Sequence, residues 1–387
     1  MKLMQHWFAR GWLGGGLTVA MLAGSPLAGC AAGDGAGRPG VPAAIVQAAA
    51  ATEPVQTLDD AADDPAVWVH PTDGSLSLVL GTNKKQGLEV YDLDGRRLQS
   101  LNDGLVNNVD VVQGPSGAWA AASNRTDQSV RVYAIDASTR QVRPLPDRTV
   151  ATGLDEVYGL CAYAVPGDER LHVAVGSKSG VVRIFRVDPR AGGPAAELTR
   201  EFAVGGQVEG MVADIEHGWL YVGEEAVGLW QYPLDPSREP GRRLVDLVAG
   251  PGRSGGLAPD VEGVTILDVG GGSGWIVVSC QGEDRFAAYD RRTLRPAGSF
   301  SVVFGSPEGR VDRVTHTDGI GASGPIMPRF PSGVFVAQDD NDGAAQDFKI
   351  VDRRLIEASL AAFATGEESP TRTWSLNESA TEPPTKP

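Results

Sequence analysis

The apolar positions of this chain fall in short runs, each broken by turn-forming residues. Residues 78–93 read LVLGTNKKQGLEVYDL: an apolar strand, a small residue, a polar tip, then a second strand ending near an aromatic. Five further segments share the layout: WAAASNRTDQSVRVYAI at 119–135, LHVAVGSKSGVVRIFRV at 171–187, WLYVGEEAVGLWQYPL at 219–234, WIVVSCQGEDRFAAY at 275–289 and VFVAQDDNDGAAQDFKIV at 334–351. Their aromatics, Tyr91, Tyr133, Phe185, Tyr232, Tyr289 and Phe348, are spaced 42 to 59 residues apart, in the range of propeller blades. A 3.6-residue period is confined to the first segment and a stretch at 355–363, so the pattern predicts an all-β fold.

A second feature repeats upstream of these units. Asp63-Asp64-Pro65 precedes the first and Asn107-Asn108-Val109-Asp110 the second. Asp155-Glu156-Val157-Tyr158-Gly159, Gln207-Val208-Glu209-Gly210, Asp260-Val261-Glu262-Gly263 and Thr317-Asp318-Gly319-Ile320 precede the others. Several lead into an apolar stretch suited to an innermost strand, as at Val264-Thr265-Ile266. The expectation is a six-bladed β-propeller of four-stranded antiparallel blades over residues 51–365. Equivalent loops then sit at one end of a central channel, where the acidic loop and polar tip of every blade converge. A β-sandwich with look-alike hairpins does not predict the same charged position in every unit.

Composition changes this picture little. The chain has 387 residues, 50 of them Gly and 26 Pro, as a turn-rich fold requires. The net charge of −15 argues against a nucleic-acid partner, since phosphate backbones need basic surface. Residues 1–29 read as a targeting segment: Lys2 and Arg10, an apolar core at 12–22 too short to span a bilayer, then Leu27-Ala28-Gly29-Cys30. This resembles the bacterial lipoprotein signal. The resemblance implies lipidation of Cys30 and an exported protein, secreted or in the cell envelope, that meets a membrane only through that lipid. Residues 30–50 read as a flexible tether and 366–387 as a disordered tail. Cys161 and Cys280 make no disulfide framework; they either pair or are two small buried residues, and the second reading is favoured.

The tips carry Lys84, Lys85, Arg125, Lys178, Glu224, Glu225, Gln281, Asp339 and Asp340; the preceding loops carry Asp63, Asp64, Asp110, Asp155, Glu156, Glu209, Asp260, Glu262 and Asp318. Bases fall in the first three units and acids predominate in the last three. Crowded carboxylates repel unless a cation compensates. Oxygen ligands select hard cations and suit Ca²⁺ over Zn²⁺, and the five histidines are scattered. The basic arc suits an anion with several oxygens, such as a phosphate. Metal facing that arc would hold a phosphate and activate a water for in-line attack. Other phosphatase signatures are missing: there is no Arg-His-Gly, no P-loop, and residues 280–285 are one short of Cys-x5-Arg.

The motifs DDPAVW (63–68), TNKKQGLEVYDLDG (82–95), NNVD (107–110), AAASNR (120–125), DEVYG (155–159), EGM (209–211), DVEG (260–263), TDGI (317–320) and FVAQD (335–339) together resemble the β-propeller phytase family. The resemblance implies hydrolysis of phytate, myo-inositol hexakisphosphate, with several calcium ions at the top of the channel. It implies that Lys84, Arg125, Tyr158 and Lys178 contact the phosphate being cleaved. Glu209, Glu225, Asp260, Glu262 and Gln281 would hold catalytic calcium with Asp318 nearby. Asp64 would hold a more structural calcium with the carbonyls of Pro65 and Val109, and Asp110 joins the expected ligand set. Ser179 and Ala51 stand where the family often has glutamate, which puts the calcium stoichiometry in question. The expected protein is a monomer acting on a small molecule. Two other readings stay open: a non-catalytic propeller binding a polyanion or partner protein, and a calcium-dependent lactonase, against which the basic arc argues.

Overall fold

The computed structural model describes residues 42–114, 117–190, 196–238, 241–305, 311–341 and 345–365. The leader, Cys30 and the 366–387 tail lie outside the described residues. The strands form six sheets, each a blade whose consecutive strands run antiparallel from the innermost outward, with N-terminal edge strands added to the fifth and sixth. The first blade is Ala62–Trp68, Leu78–Asn83, Gly87–Asp92 and Arg97–Asn102. The next four open with Val106–Gly114, Val157–Ala164, Val208–Asp214 and Val261–Gly270. The sixth opens with Ile320–Ala322. The protein is a six-bladed β-propeller.

The repeated unit is the second and third strand of each blade. Its aromatic lies on the third strand and is buried in all six blades. Its small residue makes room for the neighbouring blade: a Cβ on Gly81 would come within 2.2 Å of the Phe348 ring, and one on Gly176 within 2.7 Å of Val208. Hydrophobic clusters therefore straddle adjacent blades, as where Tyr91 and Val79 pack with Val336 and Phe348.

The ring closes through its N-terminal segment. Ala50–Ala51 forms the outer strand of the sixth blade, with Ala50 opposite Ile350 and Ala51 opposite Lys349. Ala43–Gln47 adds a parallel strand to the outer edge of the fifth blade, along Pro296–Gly305. The tether reading of 30–50 is corrected here for its last residues. Alanine-rich composition suggested flexibility, but alternation places Ala44 and Val46 in a core with Phe300 and Leu360. The helix Arg353–Thr365, whose period was visible at 355–363, buries Ile356 and Leu360 against the same region. Cys161 and Cys280 are free and buried.

Candidate active site

Two backbone devices build the channel mouth. The first is a bulge at the start of the inner strand. In the first blade Ala62 pairs with Asn83 and Pro65 with Gly81, so three steps on one strand face two on the other. The same one-residue excess recurs at Val106/Val109, Val157/Leu160, Val208/Met211 and Val261/Val264. A bulge breaks the in-out alternation of a strand and re-aims its side chains. The bulged pairs are Asp63-Asp64, Asn107-Asn108, Tyr158-Gly159, Glu209-Gly210 and Glu262-Gly263, with Asp318-Gly319 in the same place on the sixth blade. The glycines permit close approach of the next blade. A Cβ on Gly159 would lie 1.8 Å from the Glu209 carbonyl oxygen, and one on Gly319 would lie 2.4 Å from Asp64 Cα.

The second device is one hydrogen bond repeated in every blade. The amide of the tip residue donates to a carbonyl in the loop before the inner strand: Lys84 to Ala61, Arg125 to Leu105, Lys178 to Glu156, Glu225 to Gln207, Gln281 to Asp260 and Asp340 to Thr315. Five of the polar tips are thereby held beside a bulge. Five of these six tips were expected site residues.

The side chains meet across blades. Lys84 Nζ lies 2.6 Å from Asp60, 3.2 Å from Asp63 and 2.8 Å from Asp318. Gln281 Nε2 donates to Asp318 Oδ1 at 2.5 Å. Glu225, Asp260 and Glu262 offer carboxylate oxygens within 4.8 Å of one another. On the other side Lys178 Nζ sits 4.6 Å from the centre of the Tyr158 ring, and the Arg125 guanidinium 5.8 Å from it. Glu156 pairs with Lys178 at 3.0 Å, and Arg125 Nη2 donates to the Lys84 carbonyl at 3.3 Å.

This mouth holds more negative charge than its bases balance. Burial, and next to it Glu262, pushes the Glu209 carboxyl well above its usual range. Burial raises Glu262 in the same way, with Asp318 and Glu225 adding to it. Burial takes Asp63 up to about 7 against the pull of Lys84. Burial works against the charge on Lys84, but Asp63 and Asp318 outweigh it and hold its pKa high. Glu209, then burial, raises the Tyr158 phenol. Glu209 Oε2 and Asn107 Oδ1 are buried and have no hydrogen-bond partner among the described residues. Such orphans cost about 1–3 kcal/mol each if nothing fills them. An oxygen-only donor set with excess charge and unfilled lone pairs is what a hard divalent cation requires.

The comparisons with known proteins agree with this geometry. A family model described as Phytase matches residues 27–366. The chain belongs to the phytase family. It is also 37% identical over 326 residues to a 3-phytase of Bacillus subtilis (strain 168), covering 80% of this chain and 84% of that protein.

Within this phytase the structure sorts the expected site residues. Lys84, Arg125, Tyr158, Lys178, Glu209, Glu225, Asp260, Glu262, Gln281 and Asp318 gather at the mouth. Asp64 and Asp110 stand apart, along the wall of a channel cavity of about 800 Å³. There Asp64 Oδ2 accepts from the Val109 amide at 3.0 Å, and Asp110 accepts from Val111 at 2.7 Å and Ala162 at 3.0 Å. Burial raises both carboxyls, Asp110 to about 6. Two tip acids leave the acidic arc: Asp339 is fully buried against Lys349 at 2.8 Å, and Glu224 accepts from Trp230 Nε1 at 2.7 Å. The missing glutamate leaves Ser179 bonded to Asp155 at 3.0 Å. Sequence reasoning placed Asp63, Asn107 and Glu156 in the converging loops but gave them no role, and it missed Asp60. Asp63 had a signal, its place in the repeated loop; Asp60 gave none.

Proposed function

We propose that this phytase releases inorganic phosphate from phytate with calcium as its metal. The observation that carries the reading is the juxtaposition, in one ring, of an over-charged carboxylate arc and the Lys84, Arg125 and Lys178 arc. Glu209, Glu225, Asp260, Glu262, Gln281 and Asp318 would hold the ions, and Asp64 and Asp110 a separate one. When bound, calcium would cancel carboxylate charge, polarise phosphoryl oxygens and lower the pKa of an attacking water.

The chain's own residues do the rest. Arg125 and Lys178 are held on the faces of Tyr158 by cation–π attraction, so they meet an incoming phosphate already oriented. Arg125 offers a forked donor and Lys178 a point charge. Lys84 is tied to Asp60, Asp63 and Asp318, and it turns to a phosphate as those carboxylates find other partners. The Tyr158 phenol stays protonated and can donate a hydrogen bond to a phosphoryl oxygen. Six phosphates on a small ring suit a mouth with several basic groups better than a neutral ester does, which disfavours the lactonase reading. The leader supports export, with the protein acting as a monomer in or beyond the cell envelope.

The test is phosphate release from phytate by the purified full chain, with added Ca²⁺ and with excess chelator. Calcium-dependent turnover is expected. Tight phytate binding without turnover, by protein of intact circular dichroism, would favour the non-catalytic propeller instead.

A further inference from the structure

Five of the six side chains that the inner strands turn into the mouth are titratable: Asp63, Tyr158, Glu209, Glu262 and Asp318. The sixth, Asn107, is neutral. It is also fully buried, on a blade that does not adjoin the blade of Glu209. Its amide Nδ2 donates to Asn108 Oδ1 at 2.9 Å and reaches across to Glu209 Oε1 at 3.3 Å. Two acceptors on the same side fix which way the amide points, since its carbonyl oxygen could satisfy neither. The other Glu209 oxygen, Oε2, and Asn107 Oδ1 are both left without a hydrogen-bond partner among the described residues.

We propose that Asn107 is a positioning residue: it holds Glu209 by Oε1 so that Oε2 is the oxygen presented to metal and substrate. The proposal rests on the phytase reading above. An amide is suited to this place where other residues are not. A carboxylate would add a further negative group to a wall already formed by Asp63, Glu209, Glu262 and Asp318. An aliphatic side chain would leave Glu209 Oε1 without a donor and its rotamer unset. A lysine would bring a second ammonium into the cluster beside Lys84. Asparagine supplies one short, neutral donor, and its neighbour Asn108 fixes its rotation. The backbone N–H of Asn108 in turn donates to Ser123 Oγ at 3.0 Å, which anchors the main chain of the bulge.

The experiment compares wild type with Asn107→Ala and the isosteric Asn107→Asp, which keeps the shape and removes the donor. Turnover of phytate is measured at saturating calcium, and calcium binding to chelator-treated protein by titration calorimetry. Partners that orient a metal ligand typically account for 10–100-fold in affinity or activity. Both variants are expected to lose about 10-fold or more in kcat, with KM for phytate within about threefold of wild type. Asn107→Ala is expected to lose about 10-fold in calcium affinity, in samples with wild-type circular dichroism. A merely structural residue would lower the melting temperature and leave kcat and the calcium titration of the folded fraction unchanged. That outcome, or an Asn107→Asp protein as fast as wild type, overturns the assignment. A wild type with no calcium-dependent turnover would instead defeat the phytase reading, so the two failures are distinguishable.

Discussion

The two ends of the channel are built from the same inner strands and reach opposite electrostatic solutions. At the end away from the mouth, the buried charges meet direct counter-charges. Arg291 is nearly fully buried and pairs with Asp214 at 2.7 Å, Asp268 at 2.9 Å and Glu216 at 3.1 Å, while Arg353 pairs with Glu357 at 2.8 Å. Asp214 keeps its pKa low: burial alone would raise it, but the guanidinium of Arg291 and the ring of His217 more than offset that. At the mouth, Asp63, Glu209, Glu225, Glu262 and Asp318 are all pushed upward, chiefly by burial. At one end the most deeply buried acid is held ionised by an arginine, and at the other the crowded acids are pushed toward their neutral form. The difference separates a clasp from a site without reference to any relative.

That contrast can be broken in four ways. The largest effect belongs to the clasp. Asp214→Ala leaves Arg291 buried beside two more exposed acids, and losing a buried partner costs about 3–5 kcal/mol. Urea denaturation should show that loss while kcat of the folded enzyme stays unchanged; a loss below about 1 kcal/mol would mean the clasp is not structural. Next comes Glu262→Gln at the mouth. Activity should fall about 100-fold or more, because a carboxylate proposed to hold the cation that stabilises the phosphoryl charge is lost. The chelated protein should become more stable, because a repulsion is removed, and a less stable chelated variant would contradict the unbalanced mouth.

The third way is pH. A carboxyl whose folded pKa is raised, as Asp63 is from 3.8 to about 7, favours the folded state fully below about pH 4, and this contribution is lost as pH rises through about 7. Metal-free protein should therefore weaken between pH 5 and pH 8. The gain in melting temperature on adding calcium should be larger at pH 8 than at pH 5, by about 2–4 °C. An equal or smaller gain at pH 8 would sink the idea. The smallest effect is at Lys85, which lies on the exposed side of the tip with its Nζ donating to the Leu58 carbonyl at 2.7 Å. Lys85→Ala should change activity less than twofold and stability by about 0.5 kcal/mol or less. A tenfold loss would show that both lysines of the tip face substrate.

The blade count was legible because each unit repeats an aromatic on its third strand and a small residue on its second. Gly81 and Phe348 show why: one makes space that the other fills. Most of the site was legible for a related reason, since Lys84, Arg125, Lys178, Glu225 and Gln281 occupy one position in five equivalent tips. What could not be read were the departures from strand alternation. Neighbouring Asp63 and Asp64 would face opposite ways in a regular strand, and only the bulge lets both carboxylates be used on the channel side. Asp60 was hidden because its contact with Lys84 comes from a loop with no repeat to mark it. Ala44 and Val46 were hidden by alanine-rich surroundings in which two buried positions carry little weight. Asp339 misled because its tip position matched, while Lys349, ten residues on, neutralises it inside the blade.

The strand Ala50–Ala51 also sets a timetable. It comes from the start of the propeller and pairs with a segment some 300 residues later, so the sixth blade is complete only when the whole chain has been made. Contacts so distant in sequence form late and slowly. The contact between Lys84 of the first blade and Asp318 of the sixth waits on that same meeting of the first and last blades. A chain stopped before the sixth blade would carry most of the acids and most of the bases but no assembled mouth. Catalytic competence then waits on the completed ring, because the residues proposed to hold metal and phosphate come from different blades.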